Sequence, residues 1–380
     1  MRLLYIQEKP IQNDLPFQYM QQYARVHMQV IFINEGNEHQ TIENLNAQVF
    51  NFNHERNYKH LFLNKENEPL IILKKAIQAA DVVITFGYYH RYQKLCIILA
   101  KIFRKKLIIT TDSTSDAGTA YSNSVKQRLK PLWIRFLYNT VAHGVWVPST
   151  AAFNYLLDTG IDKNKIALTP YVVNEEEIIR KAKLTDVETF RAMQHCSVNK
   201  FVFVFCAKFI DRKRPLDVLV AANGLKQKGF DNFSVWMIGD GPLKEQMIEY
   251  SSQQELNEII QFPGFVSYEE LPAWYTSANA LVFTSSHEPY GLPVNEAMLC
   301  GIPVIVSDQI GAAKDLVNKE TGMVYPVGDT HALMVCMQSM LLDKNQVIEM
   351  GKAAKEKMMN WGSDRNYREQ INFFKWKNWL

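Results

Sequence analysis

The sequence predicts an α/β protein with two doubly wound domains that face each other across a cleft. The chain has 380 residues, which suits two domains of ordinary size. Short apolar runs rich in β-branched residues alternate with helical patterns, and this alternation restarts halfway along the chain. Strands separated by helices form parallel sheets, which bind ligands at the carboxyl ends of their strands.

Composition agrees with a soluble globular protein. The chain is 47% hydrophobic and 21% charged, and no apolar stretch is long enough to span a bilayer. The N-terminal run quickly turns polar, so we expect a first strand and not a signal peptide. The five cysteines have no C-x-x-C spacing, which indicates neither a zinc site nor a disulfide framework and favours reduced thiols in a cytosol.

Ten apolar runs are expected to be strands. In the first half they are Leu3–Ile6, Val30–Ile33, Val82–Thr85, Leu107–Thr110 and Gly144–Val147, with helical patterns over Leu70–Ala80, Arg91–Phe103 and Val125–Tyr138. In the second half they are Phe201–Cys206, Val235–Gly239, Ile259–Gln261, Ala280–Thr284 and Val304–Val306, with a helix over Pro215–Lys226.

A polar, helix-prone stretch, Tyr171–Lys200, joins the two halves. We therefore place an N-terminal domain at 1–174 and a C-terminal domain at 175–360. The last segment, 361–380, has the pattern of an aromatic-rich amphipathic helix, which needs an apolar surface to cover. We expect this helix to cross back to the N-terminal domain.

Charge is distributed unevenly along the chain. Residues 1–174 carry 20 lysines and arginines against 13 acidic residues, whereas the remainder carries 22 against 26. The basic excess peaks at two runs, Lys101–Lys106 and Lys126–Arg135, which are interleaved with apolar residues. Such a surface suits an anionic partner such as a membrane or a phospholipid-linked acceptor, and the alternative is a solvated basic face.

The segment from Ser285 to Glu296 combines a polar loop with a helix start. Pro293 suits the beginning of a helix, so Glu288 lies in the loop and Glu296 about one turn into the helix. Open amides at the start, including those of Leu292 and Val294, form an anion site, and the flanking carboxylates accept hydrogen bonds from hydroxyl groups. Taken alone, the two glutamates are more typical of acids placed near a helix dipole.

Two cations, Lys208 and Lys213, lie five residues apart in the loop after the strand Phe201–Cys206. Beside a helix N-terminus they neutralise a diphosphate without a metal ion, although a solvated basic loop is the alternative. We expect the neighbouring Arg212 and Arg214 to face solvent.

Residues 288–298 match the E-x-F/Y-G-x-P-x-x-E-A-M pattern at every defined position, and this resembles the E-x7-E motif of retaining glycosyltransferases of the family 4 type. The loop with Lys208 and Lys213 resembles that family's diphosphate-binding loop, although Ala207 replaces its usual glycine. Gly239 lies in a segment similar to the family's G-x-G-P turn. Phe265 lies in one similar to the loop that borders the nucleobase, where a structural turn is an equal alternative.

The resemblance implies a GT-B fold, in which two Rossmann-like domains face a cleft, and a retaining, metal-independent transfer of a hexose. It implies catalytic roles for Lys208, Lys213 and Glu288, with the lysines on the leaving diphosphate and Glu288 on the sugar hydroxyls. The donor-binding set that it implies is Gly239, Phe265, Pro289, Tyr290, Gly291, Leu292, Val294 and Glu296. Glu296 is expected to bind the ribose diol.

The first half departs from the family pattern. Residues 8–16 contain no glycine, where the family often has a glycine-rich loop, and Thr110–Asp116 contains no histidine, where the family often has one. Asp112 is the candidate for a sugar hydroxyl or the acceptor, and a turn cap is its alternative role.

Absent motifs narrow the function further. The sequence has no D-x-D, no G-x-G-x-x-G after a strand, no P-loop and no G-x-S-x-G elbow. We expect a UDP-sugar donor, preferably UDP-glucose with GDP-mannose as its rival, and a glycan or lipid-linked acceptor. We expect no metal, no cofactor and no nucleic-acid partner, and a cytoplasmic protein that can lie on the inner face of the cell membrane. A sugar-nucleotide epimerase and a non-catalytic sugar-nucleotide-binding scaffold are the alternatives.

Overall fold

A computed structural model describes residues 1–8, 15–21, 25–34, 58–114 and 125–380. The first of its two sheets has seven parallel strands in the order β3-β2-β1-β4-β5-β6-β7. These strands are β1 (Arg2–Gln7), β2 (His27–Phe32), β3 (His60–Phe62), β4 (Val82–Phe86), β5 (Lys106–Thr110), β6 (Gly144–Val147) and β7 (Ile166–Leu168). The helices of this half are α1 (Leu15–Gln21), α2 (Pro69–Ala79), α3 (Arg91–Ile102), α4 (Val125–Phe136) and α5 (Thr150–Asp158).

The second sheet has six parallel strands in the order β10-β9-β8-β11-β12-β13. They are β8 (Phe201–Cys206), β9 (Phe233–Ile238), β10 (Ile260–Gly264), β11 (Ala280–Phe283), β12 (Val304–Ser307) and β13 (Gly322–Tyr325). The helices are α6 (Glu175–Leu184), α7 (Val187–Met193), α8 (Pro215–Gln227), α9 (Lys244–Gln253), α10 (Leu271–Thr276), α11 (Leu292–Leu299), α12 (Ala313–Leu316), α13 (Thr330–Leu342), α14 (Lys344–Met359) and α15 (Ser363–Trp376).

The predicted fold class, two doubly wound parallel-sheet domains, is confirmed. Each of the ten predicted strands overlaps an observed one. Strands β3, β7 and β13 were not predicted, and each lies at an edge of its sheet. The helix that was expected over Val125–Tyr138 ends at Phe136, because the chain changes to a short π-helix at Leu137–Val141.

Both faces of the first sheet are covered by helices, as parallel sheets require. One layer, formed by α2 to α5, packs against alternate strand residues such as Leu4, Val83 and Leu107. On the opposite face lie α1 and α15. The sheet therefore separates two apolar layers.

The last helix, α15, lies on the first sheet although it follows the second domain in sequence. Phe373 and Phe374 pack against Trp146 of β6, with ring centroids 6.0 and 5.5 Å apart. The Tyr5 hydroxyl of β1 donates to Gln370 Oε1 at 2.9 Å. The chain thus passes between the domains twice, near residues 169–174 and again near Trp361. None of the described helices is both long and apolar enough to cross a membrane.

Candidate functional site

The loops that follow β8 and β9 lie side by side at the carboxyl end of the second sheet. Phe209 N donates to Asp240 O at 2.9 Å, and Ala207 N donates to Ile238 O at 3.1 Å. Gly239 has a φ of +139°, and a Cβ atom there would lie 2.0 Å from the Ala207 carbonyl oxygen. Only glycine fits this approach. The exposed Lys208 side chain therefore lies beside the turn that contains Gly239.

The loop after β11 leads into α11, as the sequence predicts. Gly291 precedes the helix with a φ of +103°, and Pro293 occupies its first turn. The helix begins at Leu292, so the amide of Val294 already donates to the Gly291 carbonyl at 3.0 Å. The expectation that the Val294 amide is open is therefore wrong, and the predicted anion site rests on Leu292.

Lys213 and Glu288 form an ion pair at this edge of the sheet. Their side chains are 13% and 16% exposed, and Lys213 Nζ also lies 4.9 Å from the centroid of the Phe283 ring. Burial lowers the pKa of Lys213, and the charge of Glu288 opposes that shift. The structure therefore brings together the two residues to which the sequence assigned phosphate and sugar binding.

Arg212 takes part in the same cluster. Its Nη1 atom lies 3.3 Å from Glu288 Oε2 and also donates to the His287 carbonyl. Arg214 is paired with Asp217, its Nε being 2.6 Å from Asp217 Oδ2. Arg212 is exposed as expected, whereas Arg214 is only partly exposed, and a carboxylate lies within reach of each.

Glu296 is buried, with 7% of its surface exposed. The hydroxyl of Tyr275, itself fully buried, donates to Glu296 Oε2 at 3.1 Å. Burial raises the pKa of Glu296 to about 7, and the Tyr275 hydrogen bond opposes that shift. This carboxyl group therefore changes charge near neutral pH. Sequence reasoning did not identify Tyr275, because nothing local links it to Glu296.

The side chain of Tyr290 turns away from the loop surface and is 3% exposed. Its hydroxyl accepts from Trp361 Nε1 at 3.0 Å and donates to the Tyr171 carbonyl at 3.2 Å. The carbonyls of Glu288 and Tyr290 accept from the amides of Gly311 and Ala312, respectively, at 2.8 and 2.9 Å. The backbone through Pro289 is thus fixed between the next loop and the two segments that join the domains.

Asp112 follows β5 at the carboxyl end of the first sheet. Burial raises the pKa of Tyr171, and the charge of nearby Asp112 adds to that shift. The Tyr171 ring lies 5.2 Å from the Tyr290 ring. The structure therefore places Asp112 close to the E-x7-E segment. The glycine-free stretch 9–14 lies outside the described residues.

Phe265 is 42% exposed and lines a surface groove of about 620 Å³ beside α6, α7 and α10. The groove is not lined by Lys208, Lys213, Glu288 or Glu296. The residue before it, Gly264, accepts through its carbonyl from the amide of Gly239 at 2.9 Å. The predicted role of Phe265 at the nucleobase stays a prediction.

One contact across the domains was missed by the sequence reasoning. The amide of Thr150, at the start of α5 in the first domain, donates to Asp315 Oδ2 in the second at 2.8 Å, and the Thr150 hydroxyl donates to Asp315 Oδ1. Burial raises the pKa of Asp315, and the bonds from Thr150 oppose that shift. Asp315 thus caps a helix of the other domain.

In the part of the chain that the structure describes, no cluster of three His, Cys, Asp or Glu residues suits a metal ion.

Residues 186–357 match the family model "Glycosyl transferases group 1". A 2-deoxystreptamine N-acetyl-D-glucosaminyltransferase from Streptomyces fradiae is 36% identical over 98 residues, which is 26% of this chain and 23% of that protein. A GDP-mannose-dependent phosphatidylinositol monomannoside mannosyltransferase from Mycobacterium tuberculosis is 24% identical over 160 residues, 40% of this chain and 42% of that protein. The matched segments span less than half of these relatives.

Solved structures share the whole fold. Anabaena HepE in complex with UDP and glucose superposes with a TM-score of 0.73 at 14% identity, covering 98% of this chain and 99% of that one. WaaG, a glycosyltransferase involved in lipopolysaccharide biosynthesis, gives a TM-score of 0.67 at 12% identity, covering 98% of each chain. The fold is therefore the GT-B arrangement of glycosyltransferases.

Proposed function

We propose that the protein is a retaining, metal-independent glycosyltransferase that moves a hexose from a nucleotide-sugar to a glycan or lipid-linked acceptor. The observation that carries this proposal is the Lys213–Glu288 ion pair at the carboxyl end of the second sheet. Glu296 lies about one turn into α11, the helix that follows Glu288. The family match over residues 186–357 supports the proposal.

Lys213 is the group that stabilises the leaving diphosphate, together with the exposed Lys208. A partly buried ammonium acts strongly on developing negative charge, because little water screens it. In the free protein Glu288 neutralises this ammonium. A bound diphosphate takes over that role, and the Glu288 carboxylate then accepts hydrogen bonds from sugar hydroxyls.

Glu296 is the acceptor for the two ribose hydroxyls. Its carboxyl group offers the most acceptor sites when it is ionised, and the hydrogen bond from Tyr275 favours that charged form. The backbone amide of Leu292, at the start of α11, is the expected additional contact to the donor's anionic groups.

The reaction exchanges two bonds at the anomeric carbon. The bond from this carbon to the donor phosphate oxygen breaks, and a bond to the acceptor oxygen forms on the same face. The acceptor proton moves to the leaving phosphate oxygen, so no protein carboxylate has to act as nucleophile. Lys213 and Lys208 balance the charge that develops on the diphosphate.

UDP-glucose is the preferred donor and GDP-mannose its rival. Anabaena HepE, similar in fold, has been solved with UDP-glucose, whereas the mycobacterial relative is GDP-mannose-dependent. Thermal-shift measurements with UDP, GDP and ADP test this choice. A response to UDP alone supports the UDP-sugar donor, and a response to GDP alone replaces it with GDP-mannose.

Two alternative functions give different results in the same assays. A non-catalytic scaffold that binds sugar polymers gives no nucleotide response, and a sugar-nucleotide-binding scaffold responds but releases no UDP. Incubation with UDP-glucose separates a transferase from an epimerase, because only the transferase releases UDP.

The proposal includes contact with an anionic membrane surface. On α3, the exposed Arg91, Lys94 and Lys101 alternate with Ile98 and Ile102, which are 55% and 63% exposed. These five residues recur at helical spacing and therefore lie along one face of α3. It lies on the same side of the first sheet as α4, where Leu132, Trp133 and Phe136 are more than half exposed.

Parts of the predicted basic runs have protein partners instead. Lys105 donates to the Gln78 carbonyl at 2.7 Å, and Lys106 lies over the Trp379 ring at 5.0 Å. The side chains of Lys126, Arg128 and Lys130 lie outside the described set.

Cosedimentation with vesicles tests the membrane contact. We expect binding to vesicles that contain phosphatidylglycerol and not to pure phosphatidylcholine. The double variant Ile98→Ser and Lys101→Glu should lose it, while the control Lys352→Glu, on an exposed face of α14, should not. Equal binding by both variants would overturn the contact.

A further inference from the structure

Two loops meet at the carboxyl end of the first sheet. At this end, Asp112 is the only residue to which a ligand-binding role has been assigned so far. One loop, Gly87–His90, follows β4, and the other, Thr111–Ser113, follows β5. They lie together because the amide of Gly87 donates to the Thr110 carbonyl at 3.1 Å. Loops at this edge of a doubly wound sheet are where such sheets bind ligands.

The first loop carries a stacked pair of tyrosines. The rings of Tyr88 and Tyr89 lie 4.6 Å apart with an interplanar angle of 25°. Tyr88 packs on the core through Tyr138, with ring centroids 6.3 Å apart. Tyr89 is 68% exposed. The loop therefore presents a flat aromatic face to solvent on a fixed base.

The hydroxyl of Tyr88 stays neutral. Burial raises the pKa of Tyr88, and the neighbouring Tyr89 hydroxyl adds to that shift. A tyrosine that offers an apolar face with a hydrogen-bonding edge is suited to ligands that have both kinds of surface.

A carboxylate lies close to the same tyrosines. Asp112 lies two residues after Thr110, whose carbonyl accepts from the amide of Gly87 at 3.1 Å. Burial raises the pKa of both Tyr171 and Tyr138, and the charge of Asp112 adds to each shift. The aromatic pair and Asp112 therefore border one region. The ring of Tyr171, near Asp112, lies 5.2 Å from the ring of Tyr290 in the E-x7-E segment.

We propose that Tyr88, Tyr89 and Asp112 bind the terminal sugar ring of a carbohydrate acceptor. One face of a pyranose ring carries several C–H groups, which stack on an aromatic ring, while its edge carries hydroxyls that donate to a carboxylate. The inference rests on the proposed function and narrows its acceptor to one whose reacting end is a sugar, free or carried on a lipid.

Saturation-transfer NMR tests the inference on the full-length protein with UDP present. The probes are maltose, cellobiose, lactose and N,N′-diacetylchitobiose. We expect a signal from at least one, strongest on the C–H protons of one ring face. Tyr89→Ala should reduce the signal at least fivefold and Tyr89→Phe should keep most of it. Trp376→Ala, which removes an aromatic ring that is 53% exposed on α15, is the matched control.

The outcomes separate this inference from the proposed function. A UDP thermal shift in the wild-type protein without a signal from any disaccharide overturns the carbohydrate site and leaves the donor half standing. An equal signal in wild type and Tyr89→Ala also overturns it. Absence of a thermal shift with UDP, GDP and ADP alike counts instead against the proposed function. Asp112→Asn should weaken the signal of the same disaccharide, and an unchanged signal removes the carboxylate from the site.

Discussion

The ammonium group of Lys213 is paired with the carboxylate of Glu288, 75 positions away in the sequence. A donor diphosphate that binds Lys213 therefore has to displace a charge that the protein itself supplies. This relationship gives the first of four predictions.

Lys213→Ala should reduce turnover roughly a hundredfold or more, the usual effect of removing one group that stabilises transition-state charge. Stability should change little, because Arg212 remains close to Glu288. The measurement is UDP release together with urea unfolding. The control Lys352→Ala removes a lysine paired with Glu349 on the exposed surface. Near-normal turnover in Lys213→Ala would contradict the proposed role of Lys213 in stabilising the leaving diphosphate.

Glu296 should make the stability of the protein depend on pH. Its pKa is about 7 in the folded state against an ordinary value of 4.5. The folded protein therefore binds this proton more tightly than the unfolded chain, and the stabilisation is lost as pH rises from about 4.5 to 7. Relative to Glu296→Gln, wild type should lose about 3 kcal/mol over that window, at about 1.4 kcal/mol per pKa unit. Urea unfolding of both proteins at several pH values measures the difference, and parallel pH profiles would contradict it.

Asp315→Ala should cost about 1 kcal/mol of unfolding free energy, the usual cost of a lost helix cap. It should also increase the radius of gyration, because the lost cap joins two domains. Small-angle X-ray scattering measures the second effect. The matched control is Asp343→Ala, since Asp343 caps α14 within its own domain. That variant should lose similar stability without a change in size, and equal scattering from both variants would exclude the cross-domain role.

Tyr290→Phe should destabilise the protein by about 1–3 kcal/mol, because it leaves the buried Trp361 N–H without its acceptor. The matched control is Tyr325→Phe. The Tyr325 hydroxyl is buried without a hydrogen-bond partner among the described residues, so its removal should be neutral or stabilising. Chemical denaturation compares the two. If both variants show the same change, the Tyr290 bonds contribute nothing specific.

The sequence was sufficient for features that depend on local patterns. Apolar runs predicted ten of the thirteen described strands, and Pro293 predicted the start of α11 to within a residue. Strands β3 and β7 have three residues each. Each forms by pairing with the neighbouring strand of the sheet, and not because of the pattern of its own side chains. Such elements carry too few residues for periodicity to identify them.

Contacts between distant residues could not be predicted in the same way. The sequence placed Lys213 and Glu288 near one ligand but gave no reason to pair them with each other. The direction of the Tyr290 side chain depends on Trp361, 71 positions later. No local pattern links Asp315 to the helix that it caps, because Thr150 at the start of that helix lies 165 positions earlier.

The position of α15 has a consequence for biosynthesis. Tyr5 and Gln370 are 365 positions apart, yet they share a hydrogen bond under a layer of aromatic side chains. A ribosome produces the whole first sheet and α1 long before it adds α15, so the part of that apolar sheet face that α15 covers stays exposed while the second domain is synthesised and folds. The half of the protein that is translated first is therefore completed last, and nascent chains should depend on a chaperone during that interval.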